Sequence, residues 1–217
     1  MSETSVYPGN SRPEKMSARY WLFRKTMRFL GGLFFGFKVI GVENVPRKGR
    51  LVIAANHSQY ADPVLICMAL PRRMQWMAKK QLFTGPGDWF FTFIGSFAVD
   101  RESGGRAGLR LALNFLSVGW ALGIFPEGTH RNDGTAREAK SGAVMLAIRG
   151  DAPVLPVHVG KIPSIPARLK GERLIIHIGP PFNLDNTLRG GKAYRSAADE
   201  VLRVIYKLPQ QGPSVEG

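Results

Sequence analysis

The stretch Leu51-Val-Ile-Ala-Ala-Asn56-His57-Ser58-Gln59-Tyr60-Ala61-Asp62-Pro63-Val-Leu-Ile-Cys67-Met-Ala-Leu70 reads as a strand, a polar turn and a helix in immediate succession. Residues 51–55 form an unbroken apolar run of the length and kind found in strands covered on both faces. Asp62 is placed to cap the helix that follows, and Pro63 suits its first turn, where the missing N–H costs nothing. A strand feeding directly into a helix is the unit from which parallel sheets are built.

The same alternation continues in both directions. Strand candidates fall at 38–43, 51–55, 74–78, 93–99, 121–125, 154–159 and 174–178, and helix-period apolar positions at 63–70, 106–118, 139–149 and 192–207. The expected fold is α/β: a mostly parallel or mixed central sheet flanked by helices. A length of 217 residues with 44% hydrophobic content supports one ordinary domain with a sizeable core. The division expected is a disordered leader at 1–15, polar and broken by Pro8, Gly9 and Pro13, an amphipathic segment at 16–38, the main domain at 39–208 and a flexible tail at 209–217.

Segment 16–38 interleaves Tyr20, Trp21, Phe23, Phe29, Phe34, Phe35 and Phe37 with Arg19, Arg24, Lys25 and Arg28. Its longest charge-free stretch, Phe29 to Phe37, falls well short of the ~20 apolar residues that a spanning helix needs. Cations, rings and leucines together suit a helix lying in the headgroup layer of an anionic membrane; the plainer reading is an amphipathic helix packed on the core. No small-residue cleavage site follows, which argues against a secretory signal. The net charge of +14 calls for an anionic partner, and ten of the Lys and Arg residues against three acids fall within residues 1–50. Nucleic acid is the weaker candidate, because the basic segment holds too many contiguous large apolar groups for a solvated nucleic-acid face. The lone Cys67 lies in an apolar run and reads as a small core residue rather than a nucleophile.

His57 and Asp62 sit in the turn between strand and helix. A loop that folds back over this spacing lets the carboxylate hold one imidazole nitrogen while the other takes a proton from a substrate hydroxyl. The spacing alone also fits a solvated loop histidine. A second polar group, Phe125-Pro126-Glu127-Gly128-Thr129-His130-Arg131, emerges at another strand end, the usual place for sites in α/β sheets, although Pro-Glu-Gly equally makes a simple turn. His158 and His177 fall in strands and read as structural. No CxxC, His/Cys metal cluster or Gly-rich nucleotide loop is present in the sequence.

Four blocks in order resemble the 1-acylglycerol-3-phosphate acyltransferases and their glycerolipid acyltransferase relatives. They are Asn56-His57 through Asp62, Gly95-Ser-Phe-Ala-Val-Asp-Arg101, Phe125-Pro-Glu-Gly-Thr129 and Val154-Leu-Pro-Val157. Connecting sequence at Gly41-Val-Glu-Asn-Val-Pro46 and Lys140-Ser-Gly142 is similar too, so the resemblance covers about Lys38 to Gly179. It implies direct acyl transfer from acyl-CoA or acyl carrier protein to a lysolipid, first of all the lysophospholipid 1-acylglycerol-3-phosphate; a thioester is already activated, so no metal or redox cofactor is required, and the single Cys67 suits the reducing, cytoplasmic side of a membrane. His57 is then the general base and Asp62 its orienter, while Asn56, Arg101, Glu127, Gly128, Thr129 and Arg131 organise the acceptor's phosphate and glycerol. Pro156 shapes rather than reacts.

The pattern departs at one place: His130 stands where the family commonly has arginine, and Arg131 follows. Arg131 substitutes by a small loop shift, or His130 binds more weakly, or the acceptor is another lysolipid such as a lyso-aminolipid. A non-enzymatic basic module that binds membrane or nucleic acid is the remote alternative. Lys79, Lys80, Arg72 and Arg73 would suit an anionic donor, and residues 89–97 are the expected wall of an acyl channel.

Overall fold

The computed structural model describes residues 17–99, 106–128 and 139–210. Strands β1 (Lys38–Ile40), β2 (Leu51–Ala55), β3 (Met74–Lys79), β4 (Ser96–Val99), β5 (Ala121–Ile124), β6 (Val154–Val159) and β7 (Ile175–Ile178) form one sheet in the order β1-β7-β6-β2-β5-β3-β4. Neighbouring strands run parallel throughout, except that β6 and β7 are antiparallel. The helices are α1 (Ala18–Phe35), α2 (Asp62–Ala69), α3 (Pro86–Phe93), α4 (Arg106–Ser117), α5 (Gly142–Arg149), α6 (Ile165–Leu169) and α7 (Gly191–Lys207).

β2 is central, and all five of its residues are buried. The pleat sends Leu51, Ile53 and Ala55 into the layer beneath α2, and Val52 and Ala54 into the layer beneath α4, α5 and α7. That double burial is why the run carries no polar residue. Pro156 is tolerated in the interior strand β6 because its carbonyl alone is needed there: it accepts from Gly179 N at 3.0 Å, just past the last β6–β7 pair, Val157 with Ile178.

Three sequence expectations change in detail. The run expected as a strand at 93–99 begins as the end of α3, and β4 starts only at Ser96. Gly95 makes the break: its φ is +89°, and a Cβ there would stand 2.3 Å from the Met74 carbonyl oxygen. Helix α3 itself was hidden by the Gly and Pro at its start. Asp62 does not cap α2; it is the helix's first residue, and its carboxylate turns back into the preceding loop.

Helix α1 packs on α2. Tyr20 is buried and Gly31 lies against Met68, while Phe23 meets Phe93 edge-on with ring centroids 5.2 Å apart. Two of its cations turn inward. Arg24 Nη2 and Arg28 Nη1 each donate to the Ala69 carbonyl at 3.3 Å, where the C-terminal end of α2 carries partial negative charge. The opposite face holds Leu22, Phe29 and Leu33, all exposed, and Trp21 and Phe34 are exposed beside the packed face.

Arg72, expected to meet an anionic donor, is buried. It donates to the carbonyls of Pro46 (2.8 Å), Gly49 (2.9 Å) and Gly119 (3.2 Å), tying together the loops that precede β2 and β5. That is the amino edge of the sheet, opposite His57. Arg73 lies over the Tyr20 ring at 5.1 Å. Cys67 is buried; burial pushes its thiol pKa up, and Trp76 Nε1 donates to its sulfur at 3.4 Å.

Candidate active site

At the carboxyl edge of β2 the chain winds around a single carboxylate oxygen. Asp62 Oδ2 accepts from the main-chain N–H of Ser58 and of Gln59, both at 2.8 Å, and lies 2.9 Å from His57 Nδ1. A carboxylate can only accept, so Nδ1 carries the hydrogen and the proton-accepting lone pair of the neutral ring belongs to Nε2. The Asp62 side chain is wholly buried and the His57 side chain is 17% exposed. The pair thus has a dry, fixed anchor and a ring that reaches the surface.

The loop is pinned at its other points as well. Asn56 Nδ2 donates to the Val159 carbonyl at 3.0 Å, and its Oδ1 accepts from Val159 N at 2.7 Å. Both ends of that buried amide are committed to the end of β6, so Asn56, expected to contact substrate, positions the loop instead. Gln59, which sequence reading passed over, does the same one step on: Nε2 donates to the Gly160 carbonyl at 3.1 Å and Oε1 accepts from Ile162 N at 3.0 Å.

The second block arrives from the end of β5. Phe125 stacks on the His57 imidazole with centroids 4.0 Å apart and planes 16° from parallel, and the Trp76 ring lies 5.1 Å from Phe125 at 17°. A flat aromatic on one face limits the imidazole to rotation in its own plane. Glu127 is buried, only 6% exposed. Its Oε2 accepts from the His57 main-chain N–H at 3.3 Å, and its Oε1 accepts from the Tyr206 hydroxyl at 2.5 Å. Glu127, expected to organise the acceptor, holds the backbone of the histidine with its carboxyl group. Gly128 closes the turn with φ +76°, and its N–H bonds to the Phe125 carbonyl at 2.9 Å. Arg101, Thr129, His130 and Arg131 lie outside the described residues.

Beside this loop lies a cavity of about 620 Å³, lined by apolar side chains that include Met77, Val99, Leu109, Ile124 and Met145, with Phe125 on one wall and Gly128 and Lys140 at the loop. Its lining does not draw on residues 89–97, the segment expected to form an acyl channel. A chamber of this size and character fits a hydrocarbon chain. Among the described residues no group of three or more His, Cys, Asp and Glu is placed to hold a metal ion.

His158 and His177 face each other across the β6–β7 pair with ring centroids 6.2 Å apart. Burial lowers the pKa of His158 to about 4, so it is neutral at physiological pH. Both lie within the sheet; the His158 ring packs against Tyr206 and feels the charge of Asp62.

A mostly parallel sheet, with an anchored histidine–aspartate pair at its carboxyl edge and an apolar chamber alongside, defines an α/β enzyme that works on an amphipathic substrate. The family model described as Acyltransferase matches residues 36–160. The chain is 34% identical over 152 residues to the 1-acyl-sn-glycerol-3-phosphate acyltransferase of Bacillus subtilis (strain 168), covering 68% of this chain and 74% of that protein. It is 30% identical over 157 residues to human 1-acyl-sn-glycerol-3-phosphate acyltransferase beta, where 69% of this chain matches 54% of the relative. Among solved structures, the 1-acyl-sn-glycerophosphate (LPA) acyltransferase of Thermotoga maritima superimposes with a TM-score of 0.67 at 26% identity, over 89% of this chain and 80% of that one. The chain belongs to the acyltransferase family and is an O-acyltransferase.

Proposed function

We propose that this protein transfers a fatty acyl group from acyl-CoA or acyl carrier protein to the free hydroxyl of 1-acylglycerol-3-phosphate, giving phosphatidic acid, at the cytoplasmic surface of a membrane. The observation that carries the chemistry is the 2.9 Å contact between His57 Nδ1 and Asp62 Oδ2; the acceptor follows from the names of the relatives. His57 Nε2 takes the proton of the acceptor hydroxyl as the oxygen attacks the thioester carbonyl. A C–O bond forms, the C–S bond breaks, and the imidazolium returns its proton to the departing thiolate. Asp62 stabilises the cation formed between these steps. The thioester is already activated, so orientation and one base meet most of the demand, and the scheme uses no metal or redox cofactor. The cavity beside Phe125 takes an acyl chain.

The acceptor is tested by following thiol release from palmitoyl-CoA with 1-acylglycerol-3-phosphate, with lysophosphatidylcholine and with neither. Release that depends on the phosphate monoester supports the assignment. Equal release with lysophosphatidylcholine moves it to a second reading, another lysolipid acceptor, which His130 in the place of the family's arginine favours.

The membrane reading rests on the outward face of α1. No described helix is long and apolar enough to cross a membrane, yet Phe29 and Leu33 are 71% and 61% exposed. The end of α1 is joined to the strand after α6 by the bond from Leu174 N to the Phe35 carbonyl at 2.9 Å. Helix α6 adds exposed Ile165 and Leu169, with exposed Lys161, Lys170 and Arg173 nearby in sequence. Apolar side chains rimmed by cations suit an anionic lipid surface. Replacing Phe29 and Leu33 together by glutamate is expected to lower partitioning onto phosphatidylglycerol-containing vesicles by at least about tenfold while sparing the fold. Unchanged cosedimentation of the double variant would remove α1 as the contact.

A further inference from the structure

Tyr206 lies in the last turn of α7, beyond the residues 36–160 that match the family model and 79 residues from Glu127. Its hydroxyl nevertheless reaches the site. It donates to Glu127 Oε1, while Glu127 Oε2 accepts the main-chain N–H of His57. A glutamate side chain has several torsions to lose on ordering; a donor on each oxygen holds the carboxyl group in one pose, and with it the peptide that carries the base. The phenol ring is itself placed from two directions. Ala198, Val201, Leu202 and Ile205 bury the inner face of α7 against the sheet and α5, and the His158 ring meets Tyr206 at 5.8 Å and 72°.

We propose that Tyr206 is a positioning residue for acyl transfer: through Glu127 it fixes the main chain at His57 and so the direction in which Nε2 faces the acceptor hydroxyl. This rests on the reading of His57 as the general base. On this account Tyr206 acts through Glu127 and not on the reacting atoms. Its contribution belongs to geometry, and a misaligned base costs turnover more than binding.

The test uses the full chain as wild type, Tyr206→Phe, Glu127→Gln and the double variant, with Ile205→Val as a control for general loosening of α7. Phenylalanine keeps the ring against His158 and removes only the donor. In thiol release from palmitoyl-CoA, Tyr206→Phe is expected to lower kcat about tenfold with KM for both substrates within about twofold. In the Glu127→Gln background the same substitution is expected to cost little more, because the partner it acts through is already altered. Amide exchange across Asn56–Asp62 is expected to quicken about tenfold in Tyr206→Phe, with α4 unchanged. Ile205→Val is expected to lower the melting temperature without moving that exchange.

A Tyr206→Phe enzyme with kcat within twofold of wild type, losses that simply multiply in the double variant, or unchanged exchange at the His57 loop would each overturn the proposal. The exchange measurement needs no turnover, so it judges the Tyr206 coupling separately from the assignment of the reaction.

Discussion

Replacing His57 by alanine is expected to lower kcat by about three to four orders of magnitude with KM little changed, the range lost when a positioned general base is removed. The ring is held by the carboxylate at Nδ1 and by Phe125 on its face, so Nε2 is presented in one direction, and the alanine variant has no group there to accept the hydroxyl proton. The fold should survive, because the main chain at residue 57 is still held by its own N–H on Glu127 and by Asn56 on β6. Thiol release and circular dichroism on the same preparation check both points. A folded His57→Ala protein that turns over within about tenfold of wild type would remove His57 as the base.

The second large effect separates charge from shape. Three donors converge on Asp62 Oδ2, while Oδ1 is buried and has no hydrogen-bond partner among the described residues. Asparagine can therefore place its oxygen at the Oδ2 position and keep every one of these bonds, its NH₂ falling where Oδ1 stood. What Asp62→Asn removes is the negative charge that stabilises the imidazolium. The expected loss in kcat is about 10²- to 10³-fold, less than for His57→Ala and less than the ~10⁴ that follows where an Asp→Asn change also puts the imidazole in the wrong tautomer. The fold should lose about 1–3 kcal/mol for the amide donor buried without a partner. Asp62→Ala would instead release the Ser58 and Gln59 amides and unsettle the loop itself. Near-wild-type turnover in Asp62→Asn would show that orientation alone suffices and that the charge contributes little.

The two kinds of variant also divide the site into layers. In the proposed reaction His57 and Asp62 act on the proton, whereas Asn56, Gln59, Glu127 and Tyr206 act on the backbone that carries them. Sequence reading gave Asn56 and Glu127 to the acceptor because both stand inside functional motifs. In the structure the Asn56 amide bonds both main-chain polar groups of Val159, and the Glu127 carboxyl group accepts from His57 N and from Tyr206. Motif membership marks proximity to the chemistry, and only contacts distinguish a residue that touches substrate from one that holds a residue that does. The basic residues teach the same lesson. Arg24, Arg28 and Arg72 raise the net charge, yet they bond carbonyls at the end of α2 and at the amino edge of the sheet.

The seven strands, the helices with clear period and the His57–Asp62 pairing were legible in the sequence alone, because each is written locally. An apolar run such as 51–55 reports double burial, helical spacing reports an amphipathic face, and a separation of five residues lets one turn bring an imidazole to a carboxylate. The strand order, the antiparallel β6–β7 pair, the apolar chamber under Phe125 and the reach of Tyr206 to Glu127 belong to the tertiary structure. They depend on which elements lie side by side once the core has formed. His57, Glu127 and Tyr206 meet across separations of 70 and 79 residues, and no local pattern of hydrophobicity or turn chemistry encodes such a meeting.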